Sequence, residues 1–204
     1  PSVLTSPEKV RDLLEGLEVR YLANRDINLH FGLLTDLGDA EQEVVPEDEH
    51  LLIMARQGVE ALNEKYHGNI FFFFSRQRRW DPQEEIWRGY ERKRGILGEL
   101  NSLLRGGSEN SFSTITGDVS ILPGIKYVIT VDEDTKMPYD SARLRVETMA
   151  HPLNRPLFDE HKQYVAEGYS ILHPRLSSGM HEADRSRFVK LFGGEPGIDP
   201  YTRE

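Results

Sequence analysis

Two carboxylates one residue apart are the first chemistry this sequence offers. Lys126–Val131 (KYVITV) is apolar and β-branched, and Asp132-Glu133-Asp134-Thr135 follows it directly. If that run is a strand, Asp132 and Asp134 project from its end into one crevice, where open α/β sheets bind ligands. Hard divalent cations want oxygen donors. Mg²⁺ and Mn²⁺ commonly take one or two protein carboxylates and complete their shell with phosphate oxygens. The pair therefore suits a nucleotide diphosphate, with the metal neutralising the leaving group as a Lewis acid. An acidic surface turn is the plain alternative for so short a motif. An aspartyl-nucleophile phosphatase would place Thr or Val two positions after the second Asp. Lys136 stands there and Thr135 comes too early, so the spacing fails.

Other candidate residues follow other apolar runs. Asp36 and Asp39 come after Leu29–Thr35 (LHFGLLT) and flank Gly38. Acids at a strand end can accept hydrogen bonds from a base or ribose, and an exposed Asx-turn is the competing reading. Arg76-Gln77-Arg78-Arg79 follows Ile70–Phe74 (IFFFF), and Arg92-Lys93-Arg94-Gly95 opens a helical stretch. Cations near strand ends and helix starts suit a diphosphate, although solvated surface charge explains Arg76–Arg79 equally well. Trp80 and Trp87 could stack on a sugar or base, or pack under a loop. The seven histidines show no metal spacing, and there is no Walker loop, Rossmann glycine fingerprint or Gly-x-Ser-x-Gly.

These residues must be positioned by an alternating set of elements. Ser6-Pro7 is a helix start, and Val10, Leu13, Leu14 and Leu17 lie at helical spacing behind it. Leu29–Thr35 and Ile70–Phe74 read as buried strands. Asp36–Glu49 reads as an acidic loop, and Leu51–Leu62 as a helix that Gly68 closes in the left-handed conformation. Ser75–Trp87 is a polar turn region, Arg88–Leu104 a third helix closed by Gly106-Gly107, and Ser108–Gly124 a polar loop. Lys126–Val131 is the third clear strand, about Asp140 to Ala150 a fourth helix, and Tyr164–Leu172 a strand broken by Gly168. Glu182–Phe192 is a last helix, and Glu195–Thr202 a proline-rich tail. Strands alternating with helices predict an α/β fold, an open and mostly parallel sheet with helices on both faces, in a single domain over residues 1–204.

Composition narrows the classes. With no cysteine, disulfides, zinc–thiolate sites and thiol catalysis are excluded. A chain of 204 residues can bury about 70% of its unfolded surface, so it needs no such staple. Lys and Arg total 25 against 34 acids, a net charge of −9, which argues against nucleic acid as a partner. No apolar run is long enough to span a bilayer, and the start of the chain lacks the pattern of a signal peptide.

The acids and cations occur in a familiar order: Asp36 and Asp39, then Lys93-Arg94-Gly95 leading to Leu100-Asn101, then Asp132-Glu133-Asp134-Thr135. This order resembles the GT-A glycosyltransferases of the cellulose and chitin synthase kind. More narrowly, LEVRYLAN (Leu17–Asn24), ERKRG (Glu91–Gly95), MAHPLNRP (Met149–Pro156) and GEPGIDPYTR (Gly194–Arg203) resemble the glycosyltransferase domain of cyclic β-1,2-glucan synthases. The resemblance runs over essentially the whole chain. It implies a GT-A-like fold and inverting transfer of glucose from UDP-glucose to a β-1,2-glucan acceptor. Asp132 and Asp134 would hold Mg²⁺ or Mn²⁺, Asp36 and Asp39 would meet the uridine, and Lys93 and Arg94 the phosphates. It also implies that the chain is a piece of a multi-spanning membrane protein, on the cytoplasmic side of the inner membrane.

Two departures qualify that implication. Such folds begin with a strand bearing the first nucleotide contacts, whereas this sequence starts at Pro1-Ser2-Val3-Leu4, which reads as the tail of that strand or the loop just after it. Their catalytic base is an acid well downstream of the Asp-x-Asp. Glu195 and Asp199 are late acids, but nothing matches them to that role. Gln77-Arg78-Arg79-Trp80 is similar to the Gln-x-x-Arg-Trp of processive synthases, but it is one residue short and precedes the acid pair. The expectation is therefore an incomplete fold that binds the donor without turnover. Its exposed sheet edge would recruit a second copy into a strand-mediated dimer. A catalytically silent interaction module of the same fold is the alternative from another class. A sugar nucleotidyltransferase, which would need a glycine-rich loop near the start, is the third.

Overall fold

A computed structural model describes residues 1–108 and 111–174. They fall into two compact units, Pro1–Val146 and a second that begins at Glu147. The helix Glu182–Phe192, the tail Glu195–Thr202 and the acids Glu195 and Asp199 lie outside the described residues.

The first unit is built on a four-stranded sheet, β1 (Ser2–Leu4), β2 (Phe31–Leu37), β3 (Phe71–Ser75) and β6 (Thr114–Thr116), in the order β1-β2-β3-β6. β1 and β2 pair in parallel, as do β2 and β3, and β6 is antiparallel to β3. The sheet is therefore mixed and mostly parallel. Between β3 and β6 lie a hairpin, β4 (Arg79–Asp81) with β5 (Ile86–Arg88), and helix α3 (Arg92–Leu104). Helices α1 (Pro7–Ala23) and α2 (Pro46–Lys65) follow β1 and β2, and only the first part of α4 (Ser141–Ala150) belongs to this unit.

Register explains why IFFFF is apolar throughout. Phe31 lies opposite Phe71 and Thr35 opposite Ser75, so alternate residues of both strands point to opposite faces. Leu33, Leu37, Phe71 and Phe73 meet Val10, Leu13 and Leu17 of α1 and Leu51, Ala55, Val59 and Leu62 of α2. On the other face Leu34, Phe72 and Phe74 meet Ile96 and Leu103 of α3, with Phe112 and Leu122. Both faces are covered, as expected of a central strand in such a sheet. Phe71 and Phe73 are wholly buried, and truncating either to Ala would cost about 3–5 kcal/mol.

Local signals set the helix ends. The Ser6 hydroxyl accepts from the Lys9 N–H at 3.2 Å, with Pro7 at the first helical position of α1. α2 starts at Pro46, inside the expected acidic loop. The Asp48 carboxylate accepts from the Val45 N–H at 2.8 Å and starts the helix there. Beyond its end His67, not Gly68, takes the left-handed conformation, with φ 54°. α3 does end as expected, with Gly106 at φ 83°.

Three further expectations need correction. Lys126–Val131 is not a strand: it pairs with no other strand among the described residues. β propensity needs a neighbouring ladder to become a strand. Here the segment borders an apolar cavity of about 230 Å³ on the α3 side of the sheet, and Val128 stays 53% exposed. The polar turn region is the β4–β5 hairpin, and the polar loop contains β6 and a 3-10 turn at Val119–Gly124. These pieces are too short to carry a visible period.

The second unit opens with a 3-10 turn at Pro152–Asn154 and a hairpin, β7 (Leu157–Asp159) with β8 (Tyr164–Glu167). The Asp159 carboxylate holds the turn by accepting from the N–H groups of His161 and Lys162, both at 3.0 Å. β8 stops at Gly168, whose φ is 75° and whose missing Cβ leaves room for the Arg155 carbonyl.

Candidate functional site

The end of β2 delivers Asp36 and Asp39 to different surroundings. Asp36 is buried, and both its oxygens accept from Arg76, at 2.7 and 2.8 Å. Arg76 follows β3 directly and also reaches Glu99 at 3.1 Å and the Arg92 carbonyl at 3.2 Å. Burial disfavours its charge, but Asp36 and Glu99 outweigh that and raise its pKa. Two glycines make the pair possible. A Cβ on Gly89 would lie 2.4 Å from the Asp36 carboxyl carbon, and one on Gly95 would lie 3.0 Å from Arg76 and against the Tyr90 carbonyl.

Arg78 makes a second staple. It donates to the Gly38 and Glu43 carbonyls and pairs bidentately with Asp48, at 2.8 Å for one contact. Two of the four residues in the Arg76–Arg79 cluster are thus neither free phosphate ligands nor solvated surface charge. They tie the loop after β2 to the end of β3. Asp36 and Asp48, the carboxylates they grip, lie 40 and 30 residues away, which local sequence does not signal.

The start of α3 joins the remaining candidates. Arg92 pairs with Asp39 at 2.8 Å, and Lys93 pairs with Asp132 at 2.7 Å. Arg94 is largely exposed, with Glu91 at 3.7 Å. Glu91 and Arg92 both adopt positive φ, 49° and 47°, a strained way to enter a helix. Three cations therefore stand where the helix dipole is positive, and the first turn holds no acid to offset them.

The acidic turn is held from three sides. Thr135 N–H closes it on the Asp132 carbonyl at 3.1 Å. Arg20 of α1 donates from one guanidinium nitrogen, Nη2, to the carbonyls of Asp132, Glu133 and Thr135, at 3.2, 2.6 and 3.0 Å. Lys9 holds the Glu133 carboxylate at 2.6 Å. The Lys93 hydrogen bond holds the Asp132 carboxyl below its usual range, and Asp132 in turn raises Lys93. Lys9 does the same for Glu133. Asp134 is exposed on the same turn. Arg20 was not singled out by its sequence setting, since an arginine on a helix gives no sign of what it clasps.

No group of three or more His, Asp or Glu residues among the described residues could hold a metal alone. Asp132 and Asp134 give two carboxylates, which is what Mg²⁺ or Mn²⁺ uses when phosphate oxygens complete the shell. The donor set fits that mode of binding.

No protein-family profile matches the chain. A curated relative does. The chain is 37% identical over 206 aligned positions to the cyclic β-(1,2)-glucan synthase NdvB of Rhizobium meliloti (strain 1021). The chain is similar to a segment of a glucan synthase. The match covers 99% of the chain but only 7% of the synthase, so the chain corresponds to a small part of that protein. The resemblance read from the motifs thus holds along the whole chain. Among the described residues no helix is long and apolar enough to cross a membrane.

Proposed function

We propose that this chain is the donor-binding part of a glucosyltransferase that builds β-1,2-glucan from UDP-glucose, with inversion, on a GT-A-type sheet. One observation carries the reading. Two acids distant in sequence, Asp39 and Asp132, pair with the adjacent cations Arg92 and Lys93 at the start of α3. Cations gathered at a helix N-terminus favour an anion, and the diphosphate supplies one. In this reading Asp132 and Asp134 hold Mg²⁺ or Mn²⁺, and Lys93 and Arg94 face the phosphates. Asp39 and, through the lone pairs Arg76 leaves, Asp36 meet the uridine. The bound metal would neutralise charge on the leaving UDP. Lys93 would exchange its bond to Asp132 for a phosphate oxygen as the ligand enters. The similarity to a glucan synthase supports the sugar class. The whole enzyme would work at the cytoplasmic face of the inner membrane, joined to membrane-spanning parts.

Titration calorimetry with UDP and Mn²⁺ tests this. Metal-dependent binding of UDP is expected, with no glucose transfer. Binding should fall at least tenfold in Asp132→Ala and Asp134→Ala, the loss of about 1.4 kcal/mol or more. Equal binding by wild type and both variants would remove the metal role.

A further inference from the structure

A cavity of about 660 Å³ lies beside the β4–β5 hairpin, within the ~300–1,000 Å³ range of small-molecule sites. Its wall carries Trp80, Trp87 and Tyr90, with Gln77, Arg79 and Ser113 among the polar groups. Trp80 and Trp87 are cross-strand partners with ring centroids 5.8 Å apart. Trp80 is 48% exposed and Tyr90 51%. Large aromatics held half-open by a hairpin offer flat apolar faces beside hydrogen-bonding groups.

Charge decides what kind of ligand fits. Three arginines line the cavity, yet each already has a carboxylate: Arg76 has Asp36 and Glu99, Arg78 has Asp48, and Arg79 has Glu99 at 3.3 Å. Arg79 also lies over the Tyr90 ring, 5.5 Å from its centroid. Arg76 and Arg78 are almost wholly enclosed in these pairs, unlike the exposed Lys93 and Arg94 at the start of α3, so neither is open to a phosphate. A ligand with apolar C–H faces and neutral hydroxyl groups suits it better. Tyr90 stands two residues before α3 and Arg76 grips Asp36, so the cavity adjoins the residues given to the nucleotide.

We propose that this cavity is a saccharide subsite, in which pyranose rings of a β-linked gluco-oligosaccharide stack on Trp80 and Tyr90. The choice of sugar rests on the glucan-synthase reading above. The position rests on the hairpin and its charges.

Both tryptophans of the chain lie on this hairpin, so tryptophan emission, excited apart from tyrosine, reports on this place. The 204-residue chain is titrated with a β-1,2-linked glucose trisaccharide and, separately, with UDP and Mn²⁺. The trisaccharide is expected to shift Trp emission. By calorimetry, Trp80→Leu is expected to weaken trisaccharide binding about tenfold, as truncating an aromatic anchor does, and to leave UDP binding unchanged. Asp132→Ala should do the reverse. Tyr90→Ser serves as a second variant, with circular dichroism checking the fold of both. Trisaccharide binding without a change in emission, or undiminished in both variants, overturns the subsite. So does no trisaccharide binding at millimolar concentration beside normal UDP binding. Failure of UDP to bind while the emission shift persists overturns the donor reading and leaves the subsite standing.

Discussion

At the residue scale, the buried arginines separate what holds the site from what could act in it. Arg78 and Asp48 are each almost wholly enclosed, and Asp48 also starts α2. Burial is the largest single influence on the Asp48 carboxyl and raises its pKa, but the bonds from Arg78 and Val45 outweigh it, so the net shift is downward. A carboxyl with a depressed pKa in the folded state stabilises the fold above its unfolded pKa and loses that contribution as pH falls through the folded value. Asp48→Asn leaves Arg78 buried without a counter-charge and should cost about 3 kcal/mol at neutral pH. Urea unfolding between neutral pH and pH ~3 checks both points, because the gap between wild type and variant should narrow below about pH 4. A constant gap would mean that ionisation of Asp48 does not matter. The acids Asp39 and Asp132 stand out in the sequence because they follow apolar runs, and Lys93 because its basic cluster opens a helical stretch, both local patterns. The roles of Arg76, Arg78, Gly89 and Gly95 were not. A charge cluster looks the same whether its partners are water or carboxylates 30–40 residues away.

At the element scale, the helices and the two central strands were legible for a physical reason. β2, β3, α1 and α2 bury whole faces, and burial imposes a period on sequence. The β4–β5 hairpin and β6 are three residues long and half-exposed, so they impose none. Lys126–Val131 shows the opposite failure. Its composition is that of a strand, yet no ladder receives it among the described residues. The acidic turn that follows therefore depends on side chains of α1. Arg20 spans three of its carbonyls, and Gly16 clears the way, since a Cβ there would lie 2.9 Å from the guanidinium. Arg20→Ala should loosen the turn and lower Mn²⁺-dependent UDP affinity about tenfold, with little change in UDP affinity without metal. Calorimetry with and without Mn²⁺ separates this from general destabilisation. An equal loss in both would make Arg20 a structural residue only.

At the scale of the whole molecule, the unpaired edge is the feature with the widest consequence. β1 lies at one end of the sheet, and its outer side pairs with no strand among the described residues. In the same unit, Lys126–Val131 has strong β propensity, one charge, and Tyr127 and Val128 exposed at 41% and 53%. An open edge and a strand-like segment without a ladder are the ingredients of pairing between chains. A net charge of −9 opposes association at long range, and salt weakens that repulsion. Two copies should therefore associate through these backbones, more strongly at high concentration and high ionic strength. Val128→Lys places a charge on the exposed segment at a residue outside both buried clusters, and it should shift the equilibrium to monomer. Light scattering coupled to size exclusion, over a range of concentration and salt, reads this directly. A monomer throughout the range would mean that the segment stays apart from other chains. A dimer indifferent to Val128→Lys would place the contact elsewhere on the surface.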